Sequence, residues 1–166
     1  MRFERWLLAI AFASTGAIAQ VLPADPDWKE VEAPRPPALR TTGLIMLEVR
    51  GSSLQFGVDP ESFSIGPDAI VRYVLVARND SGALNALYEG IRCNSGDVKV
   101  YARHDPDKGW VPAPGAEWVP LQRGRHERTS LQVARQGACM GHSPNGSARQ
   151  IVEDLRAPVN RRFGAR

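Results

Sequence analysis

The sequence predicts an α+β domain: an antiparallel meander of about five short strands with one or two C-terminal helices packed on one face. Three observations carry that expectation. Between residues 44 and 103 apolar and polar residues alternate in short runs, each closed by a cluster of Gly, Pro, Asn, Asp or Ser, the mark of strands joined by tight turns. Helical spacing is clear only near the C-terminal end, where Ala148, Ile151, Val152 and Leu155 follow the i, i+3, i+4, i+7 rule. The chain has 166 residues, 43% hydrophobic and 23% charged, which is one domain of ordinary globular composition and excludes wholesale disorder.

The first segment, residues 1–19, reads as a signal peptide. Arg2 and Arg5 form a basic start, residues 7–19 are small or apolar, and Ala17-Ile18-Ala19 satisfies the small-x-small rule for cleavage between Ala19 and Gln20. An uncleaved membrane anchor is the competing reading, but the apolar stretch is shorter than the roughly 20 residues a spanning helix needs. No cysteine lies near the cut for a lipid anchor, and no second long apolar run follows. The expectation is a periplasmic chain, not a lipoprotein, without a transmembrane span after cleavage.

Residues 20–43 form a proline-rich arm with Pro23, Pro26, Pro34, Pro36 and Pro37. Proline fixes φ and biases its predecessor to extended backbone, so the arm is extended and not helical. Trp28 within it is expected to tuck onto the domain as an anchor. The domain itself is assigned to residues 44–157. Residues 44–50 and 54–58 are strand-like around the break Gly51-Ser52-Ser53, and Phe63 and Ile65 alternate with serines before the turn Gly66-Pro67-Asp68.

Residues 70–78 (Ile-Val-Arg-Tyr-Val-Leu-Val-Ala-Arg) are the clearest strand. Asn79-Asp80-Ser81-Gly82 turns the chain, 84–92 returns as the second arm of a hairpin, and 98–103 follows as a third strand. Val71, Tyr73, Leu75 and Ala77 share one face, expected to be pure core; Arg72 and Arg78 on the other face suggest half-coverage. Residues 110–121 suggest short strands or irregular loops. Residues 128–138 carry weak helical periodicity, and 147–156 form a helix with Ser147 and Gln150 as a capping box and Pro158 as its stop. A basic tail, 158–166, includes Arg161-Arg162.

Chemistry is harder to place. In an oxidising compartment Cys93 and Cys139, the only two cysteines, are expected to pair as a structural disulfide. His104, His126 and His142 are widely spaced, and no zinc-binding His-Glu-x-x-His occurs. Asp105 and Asp107 flank a proline in a turn, where acids commonly bond the local backbone. No nucleophile elbow, phosphate loop or dinucleotide fingerprint is present. No catalytic residue, metal ligand or cofactor is therefore assigned.

Tyr101, Trp110 and Trp118 are the candidate binding surface, since exposed aromatics stack sugars or anchor partners; the alternative is that they seal a small core. The net charge of +3 comes from scattered arginines without a long basic stripe, with Arg123-Gly124-Arg125-His126 among the densest spots. This argues against nucleic acid and fits an acidic envelope partner, a protein or an anionic glycan or lipid.

The block 71–78, then Ser81-Gly82-Ala83-Leu84-Asn85 and Tyr88-Glu89-Gly90-Ile91-Arg92-Cys93, resembles the cryptic neisserial protein-like family of small exported bacterial domains. Supporting pieces are Asp27-Trp28-Lys29-Glu30, Phe56-x-Val58-Asp59, Tyr101-Ala102, the spaced Trp110 and Trp118, and Cys139. Ala69 stands where that family pattern suggests glycine before the main strand. The resemblance implies an envelope location and supports pairing of Cys93 with Cys139. It implies no substrate and no catalytic residue. The leading expectation is a non-enzymatic exported binding module. The alternatives are an envelope hydrolase or metal-dependent enzyme using His104, Asp105 and Asp107, which would require those groups to meet His126 or His142, and a structural or assembly protein with an exposed sheet edge.

Overall fold

The structure, a computed structural model, describes residues 27–157 except Arg123, Arg125 and His126, and not the side chain of Glu127. The segment expected to be a signal peptide with its cut between Ala19 and Gln20, Pro23, Pro26 and the expected basic tail with Pro158 lie outside the described residues.

The centre is formed by three nine-residue strands, β4 (Ile70–Arg78), β5 (Leu84–Arg92) and β6 (Asp97–Asp105). β4 is dense in β-branched and aromatic residues, which suit a pleated surface buried on both sides. It pairs antiparallel with β5 along its whole length, from Ile70 opposite Arg92 to Arg78 opposite Leu84. Asn79 closes that hairpin: its Oδ1 accepts from the Ala83 amide and the Ser81 hydroxyl, both at 2.8 Å.

Around this centre lie β1 (Ile45–Leu47), β2 (Gln55–Val58), β3 (Ser64–Ile65), β7 (Gly109–Pro112) and β8 (Val119–Pro120). The spatial order is β1-β2-β4-β5-β6-β7, with β3 added to β4 and β8 to β6. Among the described residues the sheet therefore has eight strands, not about five. The additional strands are two to four residues long, too short to display a period. A separate two-stranded ribbon joins β9 (Cys139–Met140) and β10 (Ser143–Pro144).

The C-terminal helices cover one face, as expected of the α+β class. α1 (Glu127–Val133) runs into a wider π-helical turn, Ala134–Ala138, and α2 is Ala148–Arg156. Val71, Tyr73, Leu75, Ile91 and Val98 of the sheet pack with Val133, Ala134, Ala138, Ile151 and Leu155. Full burial of Ile151 and near-full burial of Leu155 stabilise the docking of α2 by about 1.5–3 kcal/mol each.

Ser147 caps α2, its Oγ accepting from the Gln150 amide. The reciprocal half of a capping box is not made, because the Gln150 amide group donates to Asp154 instead. Cys93, just past β5, is joined to Cys139, just past the π turn, across 46 residues of chain. Closing a loop of that length contributes about 4 kcal/mol in the chain-entropy account.

The opposite face is buried too. Val74, Val76, Ala86, Tyr88 and Ala102 form a second cluster, with Leu39 and Leu44 of the N-terminal segment and Trp110 packed on it. The half-coverage read from Arg72 and Arg78 holds at Arg78, which is exposed, and fails at Arg72, which the extended arm covers. Arg72 is itself 1% exposed.

Candidate binding site

The arm is held by polar ends of aromatic side chains. One residue slips in the pairing of β5 with β6 at Tyr88/Glu89, a bulge that puts Tyr101 and Ala102 on the same face. Gly90 makes room for the phenol ring; a Cβ there would lie 2.6 Å from Tyr101 Cε2. Tyr101 Oη then donates to Glu30 of the arm at 2.8 Å, Trp118 Nε1 at 3.1 Å, and Lys99 Nζ reaches both carboxylate oxygens at 3.2 and 3.0 Å. Trp110 Nε1 donates to the Pro37 carbonyl at 2.7 Å. Partial burial pushes the Glu30 carboxyl up, but these donors outweigh it and hold it below its ordinary range. The Tyr101 hydroxyl is driven well up, by burial first and then by Glu30.

Trp28 extends this seam. Its Nε1 donates to the Asp68 carbonyl at 2.9 Å, its ring meets Trp118 edge-on, and the Arg92 guanidinium lies 3.6 Å above the ring centre. Beneath Val31 the buried Asp68 carboxylate accepts two bonds from Arg72, at 3.1 and 2.6 Å, and amide bonds from Val31 and Ile70. Burial alone would raise Asp68, yet Arg72 and the amides keep it lowered. Arg72 Nε is a buried donor with no partner among the described residues.

The helix-bearing face is open at one end. Nine-residue strands are about 30 Å long, whereas helices of seven and nine residues span about 10–14 Å. The helices cover the end bearing Val71 and Ile91. The other end, and the β6 side as far as Val98 and Val119, is left as a cleft of about 560 Å³ whose walls include Leu54, Phe56, Leu75, Leu87, Val100 and Val119, with the exposed Asn85 and Arg103 in its lining. At its floor the buried Glu89 Oε2 accepts from Tyr73 Oη and from Ser130 Oγ of α1, both at 2.8 Å. Complete burial, with Glu89 adding to it, pushes the Tyr73 hydroxyl well above its ordinary value, although Ser130 pulls the other way. Tyr73 stays a neutral donor.

Both faces lie within one family-wide unit. The CNP1-like family, a family of small domains, matches residues 23–156. This chain belongs to the CNP1-like family. Compared with curated proteins and with solved structures, the chain matches none. The CNP1-like span takes in the arm, the sheet and α2 together, so the arm on its aromatic seam is part of the CNP1-like unit and not an appendage to it.

The residues singled out in the sequence fall as follows. Cys93 and Cys139 are bonded. Tyr101, Trp110 and Trp118 converge, all half-buried, and each donates to the arm. His104 lies edge-on to Trp110, ring centres 5.3 Å apart. Asp105 Oδ1 accepts the amides of Asp107 and Lys108, closing the β6–β7 turn. His142 Nδ1 is 3.3 Å from the Asn94 carbonyl, beyond the start of β6, whereas His104 is near its end. The strand between them separates the two rings by about 25–30 Å. His126 is outside the described residues. Among the described residues no three His, Cys, Asp or Glu side chains gather where a metal ion could sit.

Sequence reasoning missed Glu30, the Asp68–Arg72 pair and the Glu89–Ser130–Tyr73 group. A signal existed for the last. Glu89 shares its face of β5 with Leu87 and Ile91, and an acid at a core-facing position marks either a paired charge or a site.

Proposed function

We propose that this CNP1-like chain is a non-enzymatic, exported binding domain of the cell envelope that takes its ligand in the cleft beneath α1. The observation that carries the reading is the cleft itself: about 560 Å³, apolar in its walls, with Glu89 and Ser130 as fixed polar groups at its floor. Ligand sites have this size and make-up. Export rests on Arg2, Arg5, the apolar run 7–19 and Ala17-Ile18-Ala19. We assign Tyr101, Trp110 and Trp118 to holding the arm, since the polar atom of each is spent on Glu30 or Pro37.

The test is mass spectrometry of small molecules that accompany the protein purified from cells exporting it. Ala77 lines the cleft, and Ala77→Trp fills it. A bound molecule present on the native chain and missing from Ala77→Trp supports the cleft. A molecule retained by Ala77→Trp and lost from Trp110→Ala/Trp118→Ala moves the site to the aromatic seam and refutes it.

A further inference from the structure

We infer that the cleft takes a single-chain anionic amphiphile, bound as a monomer with its carboxylate at Arg103 and its chain along the apolar walls; this rests on the cleft reading above. Arg103 stands opposite Leu87 in the β5–β6 register, on the cleft side of the sheet, and is exposed. Its guanidinium makes no ion pair and no hydrogen bond among the described residues. An unpaired guanidinium at the mouth of an apolar cleft favours one carboxylate or similar anion.

The polarity of binding follows from the floor. At the floor the Tyr73 and Ser130 hydroxyls are already spent on Glu89, so a second carboxylate driven there finds both donors taken and loses its water, whereas at the mouth it meets Arg103. The head stays outside and the chain enters. Polypeptides and sugars fit poorly. Their many amides or hydroxyls would be stripped of water against Leu54, Phe56, Leu75, Leu87, Val100 and Val119, each unpaired group costing more than its contacts return. A cationic amphiphile is repelled at the mouth.

Fluorescence titration of the full chain with dansyl-labelled undecanoate, against the matching uncharged dansyl undecanol, tests this. The expected result is tighter binding of the carboxylate, weakened roughly tenfold or more by Arg103→Ala with the alcohol unaffected. Leu54→Asp at the exposed lip should weaken both probes. Arg103 and Leu54 are exposed, and an unchanged thermal midpoint confirms that the variants fold.

Equal affinity for acid and alcohol, no carboxylate binding at all, or Arg103-dependent binding only to vesicles of anionic phospholipid would each overturn the monomer inference. If the undecanoate fails while a co-purifying molecule is still lost from Ala77→Trp, the cleft stands with a different ligand class. If undecanoate binds Ala77→Trp as well as it binds the native chain, both readings fall.

Discussion

Ala69 holds a left-handed backbone, φ +59°, at the end of the turn that feeds β4. Its amide bonds the Gly66 carbonyl and the Gly66 amide bonds Ile70, so the conformation is imposed by the turn, at about 1–2 kcal/mol for a residue with a Cβ. Ala69→Gly removes that strain but frees the unfolded chain, which takes back about 0.4–1 kcal/mol. The expected net gain is about 0.5–1 kcal/mol, read as a higher urea midpoint with an unchanged slope. Next to it, Asp68→Ala strands the buried Arg72 charge, and removing one partner of a buried pair costs about 3–5 kcal/mol. Denaturant unfolding checks this, and a loss below about 1 kcal/mol would contradict the burial of the pair. At this scale the sequence was half legible. The glycine-favouring position before β4 came from the family resemblance, and Arg72 read as the mark of a half-covered face, because neither its partner four residues back nor the arm above it is implied by strand alternation.

The close approach of α2 to the π turn depends on Gly137. A Cβ there would lie 2.5 Å from Leu155 Cγ and 2.8 Å from the Ile151 carbonyl oxygen, and the latter is backbone that cannot swing away. Gly137→Ala is expected to push α2 outward and cost about 1–3 kcal/mol, as overpacking does, with early loss of the amide-exchange protection of Ile151 and Leu155. Native-like protection in the variant would refute the contact. The strands β4 and β5 could be read directly because nine residues give several full periods of alternation. Strands β3 and β8 could not, since two residues carry no period and are made strands only by β4 and β6 beside them. α2 was legible through its spacing and Ser147; the π turn was not, because Ala134 and Ala138 continue a helical rhythm that the wider winding and Cys139 then break.

At the scale of the whole molecule, an arm covers one face of the sheet over Arg72 and Tyr101, and helices cover part of the other. Glu30 and Asp68, which tie the arm down, both titrate below their ordinary range. Such lowered acids lend their full stabilisation above the unfolded-state value, near pH 4, and lose it as pH falls through the folded value, because the unfolded chain takes up protons first. The thermal midpoint should therefore be flat from pH 7 to about 5 and fall below about 4. Glu30→Gln should lower the midpoint at pH 7, with the gap narrowing on acidification; a constant gap would show that Glu30 is not part of the acid response. Trp28 and the prolines announced an extended, anchored arm, but the aromatic residues on which it lies could as well have been read as an open surface, since sequence alone does not say which partner occupies an indole N–H. The seam also bears on the order of assembly. Its bonds join residues 69, 71, 73 and 88 positions apart, whereas the β4–β5 hairpin closes over a turn of a few residues. Loop-closure entropy makes near neighbours meet first and distant ones last, so the earliest part of the domain to be synthesised is the last to find its place.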